Sequence, residues 1–448
     1  MRQIGRYEIC GLLGRGGMGL VYKVRLPVIE KILALKWLHP HPILVSLLGE
    51  EELKKRFVNE AVIMSRLRHP NLLSVWDFDE VAGNPFFVME YYCNNLGSLI
   101  GESGELENPS RPLTPERIFH YGRQILNGVG RLHQAGIIHR DLKPFNFLIT
   151  DEDVIKIGDF GLSLLRGETL PSPDNLKVGS PYYAAPEQEQ DPDRVDTRAD
   201  LYSVGVTLYR LATGRLPPED SRPPSLIRSE LDSNWDSFLL RGTASEKNDR
   251  FFSAGEMLQN LERLRLHWEA GREKDCRPAP VPLATPPKSR PSPPLRRTPV
   301  RVRPTEAQNL FPIDALWRPR SFVVPDWQER DDGTVADRSH DLLWEQSGSE
   351  YPLTWPEAGV YVQGLNRDRF SGQVDWRFPT VDELCSLITE TPGVHTYCLA
   401  PPFDRGRKCL WSADRRSFNA AWFVSIDLGF VFWQDFTCHY HVRAVCSL

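Results

Sequence analysis

The chain has 448 residues, enough for two or three domains, and its 41% hydrophobic and 25% charged residues are an ordinary globular balance. A formal net charge of -5 provides no whole-chain basic field for nucleic acid. The first ten residues lack a signal-peptide apolar core, and the longest apolar stretch, AAWFVSIDLGFVFW, is broken by Asp427 and Gly429, so no membrane span is expected.

Residues 7–26, YEICGLLGRGGMGLVYKVRL, read as strand, glycine loop, strand. Gly14, Gly16 and Gly19 fit G-x-G-x-x-G and are followed by Val21. A dinucleotide fold would continue into a helix. Here residues 20–26 carry branched side chains and read as a strand, which favours a lid over phosphates. Glycines let backbone amides approach a phosphate with no Cβ in the way. Leu33-Ala34-Leu35-Lys36 reads as another strand. Residues 54–73 have helical spacing, with Phe57, Ala61, Met64 and Leu67 on one side and Glu60 among them. Phe86 to Tyr92 is again strand-like. A polar loop precedes Thr114-Pro115-Glu116, a helix start, and the helix ILNGVGRLHQAGIIH delivers His139.

Residues 137–161, IIHRDLKPFNFLITDEDVIKIGDFG, hold two stations joined by a hairpin. Phe147, Leu148 and Ile149 form one arm, Asp151-Glu152-Asp153 the turn, and Val154, Ile155 and Ile157 the other arm. A hairpin brings its ends together, so Asp141, Asn146 and Asp159 should converge. The H-R-D-L-K-P-x-N and D-F-G motifs at this spacing resemble the catalytic and magnesium loops of the protein kinases. The resemblance covers residues 7–268, with a small lobe at 7–92 and a large lobe at 93–268.

That resemblance implies ATP and Mg2+ and a role for each matching residue. Gly14, Gly16 and Gly19 would cover the phosphates, and Val21 and Ala34 would flank the adenine. Met89 would be the gatekeeper, with backbone groups of Glu90 and Tyr92 reading the adenine edge. Lys36 would hold the α- and β-phosphates and pair with Glu60. Asp141 would accept the substrate hydroxyl proton, and Lys143 would neutralise the γ-phosphate. Asn146 and Asp159 would hold magnesium through hard oxygen donors. The D-L-K-P-x-N form implies serine/threonine specificity. His139 and Phe160 are read as scaffold, and His120 and His133 as packing or surface residues. Asp200 would fix the catalytic-loop backbone, and Arg250 would pair with Glu187. Ser180 stands where the family usually has threonine and keeps the hydroxyl. Arg140 implies a loop ordered by phosphate, with Thr169 and Ser172 as candidate acceptors and Ser163 after them.

From Gly271 the chain becomes proline-rich and basic, and residues 269–309 read as an extended linker. Residues 310–448 hold eight of the twelve tryptophans and read as a second domain. Its VDWRFPTVDELCSLI segment, between DGTVADRSHDLLWEQ and HYHVRAVCSL, resembles the D-W-R-x-P-T-x-x-E-L mark of bacterial C-type-lectin-like domains. Short helices at 355–365 and 380–389 should flank a looped sheet, with Trp376, Arg377 and Pro379 structural. Asp331, Asp332 and Asp337 around Gly333 suit an Asp-Gly turn better than a calcium site. His439 and His441 supply only two metal ligands. No C-x-x-C pair occurs, so zinc is not expected, and most cysteines should be reduced thiols.

The fold expected is thus α+β: a two-lobed kinase, a linker and a lectin-like domain. The function expected is that of a bacterial serine/threonine protein kinase in the cytoplasm, acting on protein substrates. Its tail would sense or recruit an unidentified ligand or partner. The competing reading is a binding protein whose kinase domain is a nucleotide-responsive pseudokinase. A third makes the tail an enzyme like the formylglycine-forming relatives of that fold, for which no reactive cysteine arrangement is visible.

Overall fold

Period-two alternation along the first hundred residues builds a sheet with two unlike faces. A computed structural model describes residues 3–102, 106–159, 182–191, 195–218, 222–275, 294–322, 325–389, 398–399 and 401–448, and the backbone of a short strand at Leu164–Leu165. The chain divides into two units, Met1–Cys276 and Arg277–Leu448.

In the first unit, β1 (Gln3–Ile4), β2 (Tyr7–Arg15), β3 (Gly19–Leu26), β4 (Lys31–Leu38), β5 (Val75–Val81) and β6 (Asn84–Glu90) form one antiparallel sheet. Their order is β1-β2-β3-β4-β6-β5. Val21 lies opposite Lys36, Lys36 opposite Phe87, and Ala34 opposite Met89. Opposed residues share a face, so these five line one side. The other side buries Val24, Leu33, Leu35, Phe86 and Val88 with Ile4 and Tyr7.

Helices α1 (Pro42–Leu48) and α2 (Glu50–Arg66) meet at Gly49. Glu50, Glu51 and Glu52 fill the first turn of α2, where carboxylates complement the helix dipole. The buried stripe Leu53, Phe57, Glu60, Ala61 and Met64 has helical period. It packs on the Lys36 side of the sheet, with the Phe57 and Phe87 rings 5.0 Å apart.

After β7 (Asn94–Asn95) and α3 (Leu96–Ile100), α4 (Pro115–Gln134) leads to β8 (Ile137–Ile138). β9 (Phe147–Ile149) and β10 (Ile155–Ile157) form the expected hairpin, Ile149 opposite Ile155. β11 (Leu164–Leu165) pairs with β8. α5 (Pro186–Gln190), α6 (Arg198–Thr213), α7 (Ser233–Gly242) and α8 (Ala254–Asp275) complete the unit. Nearly all of α6 is buried, as a helix at the centre of a lobe must be. At Gly205 a Cβ would fall 2.3 Å from the Gly242 carbonyl oxygen, so α6 and α7 meet backbone to backbone.

Among its described residues the second unit has two antiparallel sheets. β12 (Trp327–Glu329), β13 (Thr334–Asp337), β14 (Leu342–Glu345) and β18 (Val445–Ser447) form one; β15 (Cys409–Arg415), β16 (Ala420–Ser425) and β17 (Phe430–Asp435) form the other. Helices α9 (Pro304–Leu310), α10 (Trp355–Arg367) and α11 (Val381–Ser386) accompany them. Trp344, Trp422, Leu384, Ile388 and Val431 share one core.

The linker reading of residues 269–309 is corrected at both ends. Helix α8 runs on to Asp275, because Arg272 lies over the Trp268 ring and pairs with Glu116. From Leu295 the chain belongs to the second unit, ahead of the boundary expected at 310. Arg415 N–H donates to the Val300 oxygen and Val302 N–H to the Arg415 oxygen, both at 2.9 Å. Arg296 grips Asp414 with two bonds of 2.8 Å. Leu295, Val300 and Val302 pack into the core.

Candidate active site

Sheet register and α2 bring Lys36 and Glu60 together. Lys36 Nζ lies 2.7 Å from Glu60 Oε1 and 2.9 Å from Asp159 Oδ1. Burial opposes a charge on Lys36, but Asp159 and Glu60 outweigh it and raise its pKa. The Lys36 charge in turn holds the Asp159 carboxyl at about 2, against a burial effect of opposite sign. A buried glutamate in the apolar stripe of α2 is thereby explained: it pairs with Lys36 on the adjoining strand.

The hairpin joins the second group. Asn146 Nδ2 donates to the Asp141 carbonyl at 2.7 Å and to Asp141 Oδ2 at 3.3 Å. Lys143 Nζ lies 2.8 Å from Asp141 Oδ2. Gly158 N–H donates to the Asn146 oxygen at 3.0 Å, which draws Asp159 beside Asn146. Asn146 is thus bonded to Asp141, and the residue before Asp159 is bonded to Asn146.

The backbone before Asp141 is held in an unfavourable conformation. Arg140 has φ 67° and Asp159 φ 59°, left-handed values that cost a non-glycine residue roughly 1–3 kcal/mol. Asp200, fully buried on α6, accepts the His139 N–H on Oδ2 and the Arg140 N–H on Oδ1, both at 2.9 Å. His133 Nε2 donates to Asp200 Oδ2 at 2.8 Å. Burial pushes the Asp200 pKa up, yet the His133 bond, the electrostatic influence of His133 and His139 and the His139 N–H bring it below the usual value. Gln188 Nε2 donates to the Arg140 carbonyl at 2.9 Å, and His139 Nε2 to the Gly158 carbonyl at 3.1 Å. His133 was read as packing; it orients the carboxylate that orients the loop. Neither His133 nor Gln188 carries a local sequence signal for this, because their partners lie 67 and 48 residues away.

The remaining positions are placed as follows. Gly14 and Val21 pair across β2 and β3, and Gly16 N–H closes the turn onto the Gly19 oxygen at 2.9 Å. Ala34 and Met89 face each other; Tyr92 hydroxyl donates to Glu90 Oε2 at 2.6 Å. Arg250 grips Glu187 through two bonds of 2.7 and 2.9 Å. A further network missed in the sequence ties Tyr183, just before Glu187, to Glu102 at 2.9 Å, with Arg210 Nε 3.4 Å from Glu102. Phe160, Ser163, Thr169, Ser172 and Ser180 lie outside the described residues.

In the second unit the D-W-R-x-P-T-x-x-E-L segment is a lock. Trp376 is buried and donates from Nε1 to the Phe370 oxygen at 3.0 Å. Arg377 grips Glu383 at 2.6 and 2.8 Å. Thr380 and Glu383 form the capping box of α11. Asp332 accepts from Thr334, and Asp337 from Ser339 and His340, and Gly333 has φ 78°. Burial pushes the Cys385 thiol up, and the Cys398 and Cys446 thiols to about 12, so these three are poor nucleophiles. No group of three metal-binding side chains occurs among the described residues, nor does a helix long and apolar enough to cross a membrane.

A family model described as the protein kinase domain matches residues 7–265. One described as the Lcl C-terminal domain matches residues 333–446. A probable serine/threonine-protein kinase of Clostridium acetobutylicum is 30% identical over 278 residues, covering 59% of this chain and 40% of that protein. The serine/threonine-protein kinase pkn3 of Myxococcus xanthus is 31% identical over 316 residues, covering 64% of this chain and 56% of that protein. The chain therefore spans between 40% and 56% of the length of these two relatives. The crystal structure of the Mycobacterium tuberculosis PknI kinase domain is similar at 26% identity, with a TM-score of 0.44, covering 58% of this chain and 96% of that one.

Proposed function

The chain belongs to the protein kinase family, matched over residues 7–265, and from that premise we propose that it transfers the γ-phosphate of ATP to serine or threonine hydroxyls of proteins. The observation that carries this reading is Lys36, 2.7 Å from Glu60 and 2.9 Å from Asp159. It joins the sheet, α2 and the hairpin at one point.

Phosphoryl transfer is catalysed mostly by positioning and charge neutralisation. Lys36, fixed by Glu60, would hold the α- and β-phosphates under the lid at Gly14, Gly16 and Gly19. Val21, Ala34 and Met89 line the same face for the adenine, beside the backbone of Glu90 and Tyr92. Asp141 takes the proton of the substrate hydroxyl as its oxygen bonds to phosphorus, and the γ-phosphate leaves ADP. Lys143, already bonded to Asp141, offsets charge on the transferring group. Asn146 and Asp159 offer the amide and carboxylate oxygens that suit magnesium, and would hold it. Magnesium, when bound, neutralises phosphate charge.

The D-L-K-P-x-N sequence supports serine/threonine specificity, and ATP supply favours the cytoplasm. Arg140 supports activation by phosphate at Thr169 or Ser172. For the second unit, the Lcl C-terminal match and the D-W-R-F-P-T lock support a recognition module, which we read as C-type-lectin-like, that senses a ligand or recruits a partner. The test is to incubate the full chain with labelled ATP and magnesium and map the phosphosites. Incorporation on serine and threonine supports the reading; none, with ATP and substrate in excess, contradicts it.

A further inference from the structure

Between Lys36 on β4 and Glu60 on α2 the chain detours through α1, and that detour touches the tip of the glycine loop. His39 N–H donates to the Met18 oxygen at 3.2 Å, and His41 N–H to the Gly17 oxygen at 3.0 Å. The Leu44 side chain closes over the same spot, with Cδ1 3.1 Å from where a Cβ on Gly17 would stand. Two residues on, a Cβ at Gly19 would fall 2.3 Å from the Trp37 oxygen, so the returning limb of the loop lies flat on β4. The loop tip therefore has two backbone anchors and one apolar anchor, all from residues 39–44.

α1 is held at its ends rather than by a core. It buries none of its residues, and Ile43 and Leu47 are exposed. Pro42 opens it, and the His41 ring accepts the Ile43 N–H at 3.3 Å. Gly49, at φ 78°, closes it by donating to the Val45 oxygen at 2.9 Å. The Gly49 carbonyl then accepts the Leu53 N–H at 3.3 Å, starting α2. One short segment thus links β4, the loop tip and the helix that carries Glu60.

We propose that residues 39–49 latch the phosphate lid, with Leu44 as a positioning residue that sets how tightly the first unit holds a nucleoside triphosphate. This rests on the kinase reading of the glycine loop. A lid that spends less time in its binding-competent position weakens apparent affinity in proportion to the lost population. Leu44 touches the lid from outside, so its removal should change nucleotide binding while leaving Asp141, Lys143 and the hydroxyl geometry alone.

The experiment uses the full chain with Leu44→Ala, Leu44→Met and Ile43→Ala. Magnesium ATP affinity is measured by calorimetry, KM and kcat by phosphate transfer, and amide exchange by mass spectrometry on peptides covering residues 38–42. If the competent population falls to about a fifth, Leu44→Ala weakens ATP binding and raises its KM about fivefold, with kcat within about twofold. Exchange at His39 and His41 should accelerate together. Leu44→Met, which keeps volume, should restore both, and Ile43→Ala should behave as wild type. Unchanged affinity and exchange in Leu44→Ala overturn the latch, as does an equal effect from Ile43→Ala, which would reflect helix stability alone. A wild-type chain that fails to bind ATP overturns the nucleotide reading instead, and the exchange measurement still decides whether the latch exists.

Discussion

Asp200→Asn should disable the site without touching anything that contacts a substrate. The wild-type carboxylate accepts three N–H groups: His139 and Arg140 at 2.9 Å and His133 at 2.8 Å. Asparagine keeps one oxygen, so in either orientation its NH2 faces one of the two backbone N–H groups. One charge-assisted bond is lost, worth roughly 1.5–3 kcal/mol, and a buried donor is left unsatisfied at a cost of roughly 1–3 kcal/mol. Arg140, at φ 67°, gains its own strain back if the loop relaxes, so relaxation is the expected outcome. A shift of about 2–3 kcal/mol toward a relaxed loop lowers the population with Asp141 in place by roughly 30- to 150-fold. Because the lid and Lys36 are anchored elsewhere, kcat should fall by that factor with the KM for ATP changed less than about twofold. Steady-state transfer to a generic protein substrate, with circular dichroism to confirm folding, measures it. A folded variant with kcat near wild type, or a loss appearing wholly in KM, would refute the reasoning.

Three further outcomes are expected. The Asp159 carboxyl, depressed to about 2 from 3.8, stabilises the fold above about pH 4 and loses that contribution as pH falls toward 2. Asp159→Asn should therefore lose less Tm than wild type between about pH 6 and 3; with Asp159 half exposed the difference is modest, and equal losses would mean the pair with Lys36 does not persist in solution. A fragment beginning at residue 294 should unfold cooperatively, whereas one beginning at 305 strands buried Asp414 without Arg296, at a cost of about 3–5 kcal/mol. Equal urea midpoints would show that residues 294–304 are dispensable. Ending the chain at residue 276 should leave an active kinase; an unchanged rate on a generic peptide with slower phosphorylation of a tail-binding partner indicates recruitment, and a changed peptide rate indicates regulation.

The candidate site was legible through the family motifs because most of its residues are local. His139, Asp141, Lys143 and Asn146 fall within eight positions, and the hairpin that carries Asp159 to them shows in its branched residues. Lys36 and Glu60 were singled out by the family resemblance; periodicity supplied only the strand and the helix that carry them. What holds the loop was less so. Asp200 was recovered from the family resemblance, but His133 and Gln188 are residue types that serve everywhere, and only the fold brings them to it. The segment 295–303 was misread because arginine dominates it and a proline-rich stretch precedes it. Val300 and Val302, two apart, were the signal, since an extended proline-rich chain can still pair at a sheet edge. The change of composition was placed at Gly271, but the Arg272 contact with Trp268 and Glu116 carries α8 past it.

Asp141→Asn in the full chain, assayed with labelled ATP and magnesium beside wild type, tests the assignment most directly. The account predicts phosphate on serine and threonine with wild type, and a loss of about 10²- to 10⁴-fold in the variant while ATP still binds. Comparable turnover by both proteins, or no transfer by wild type, would contradict it.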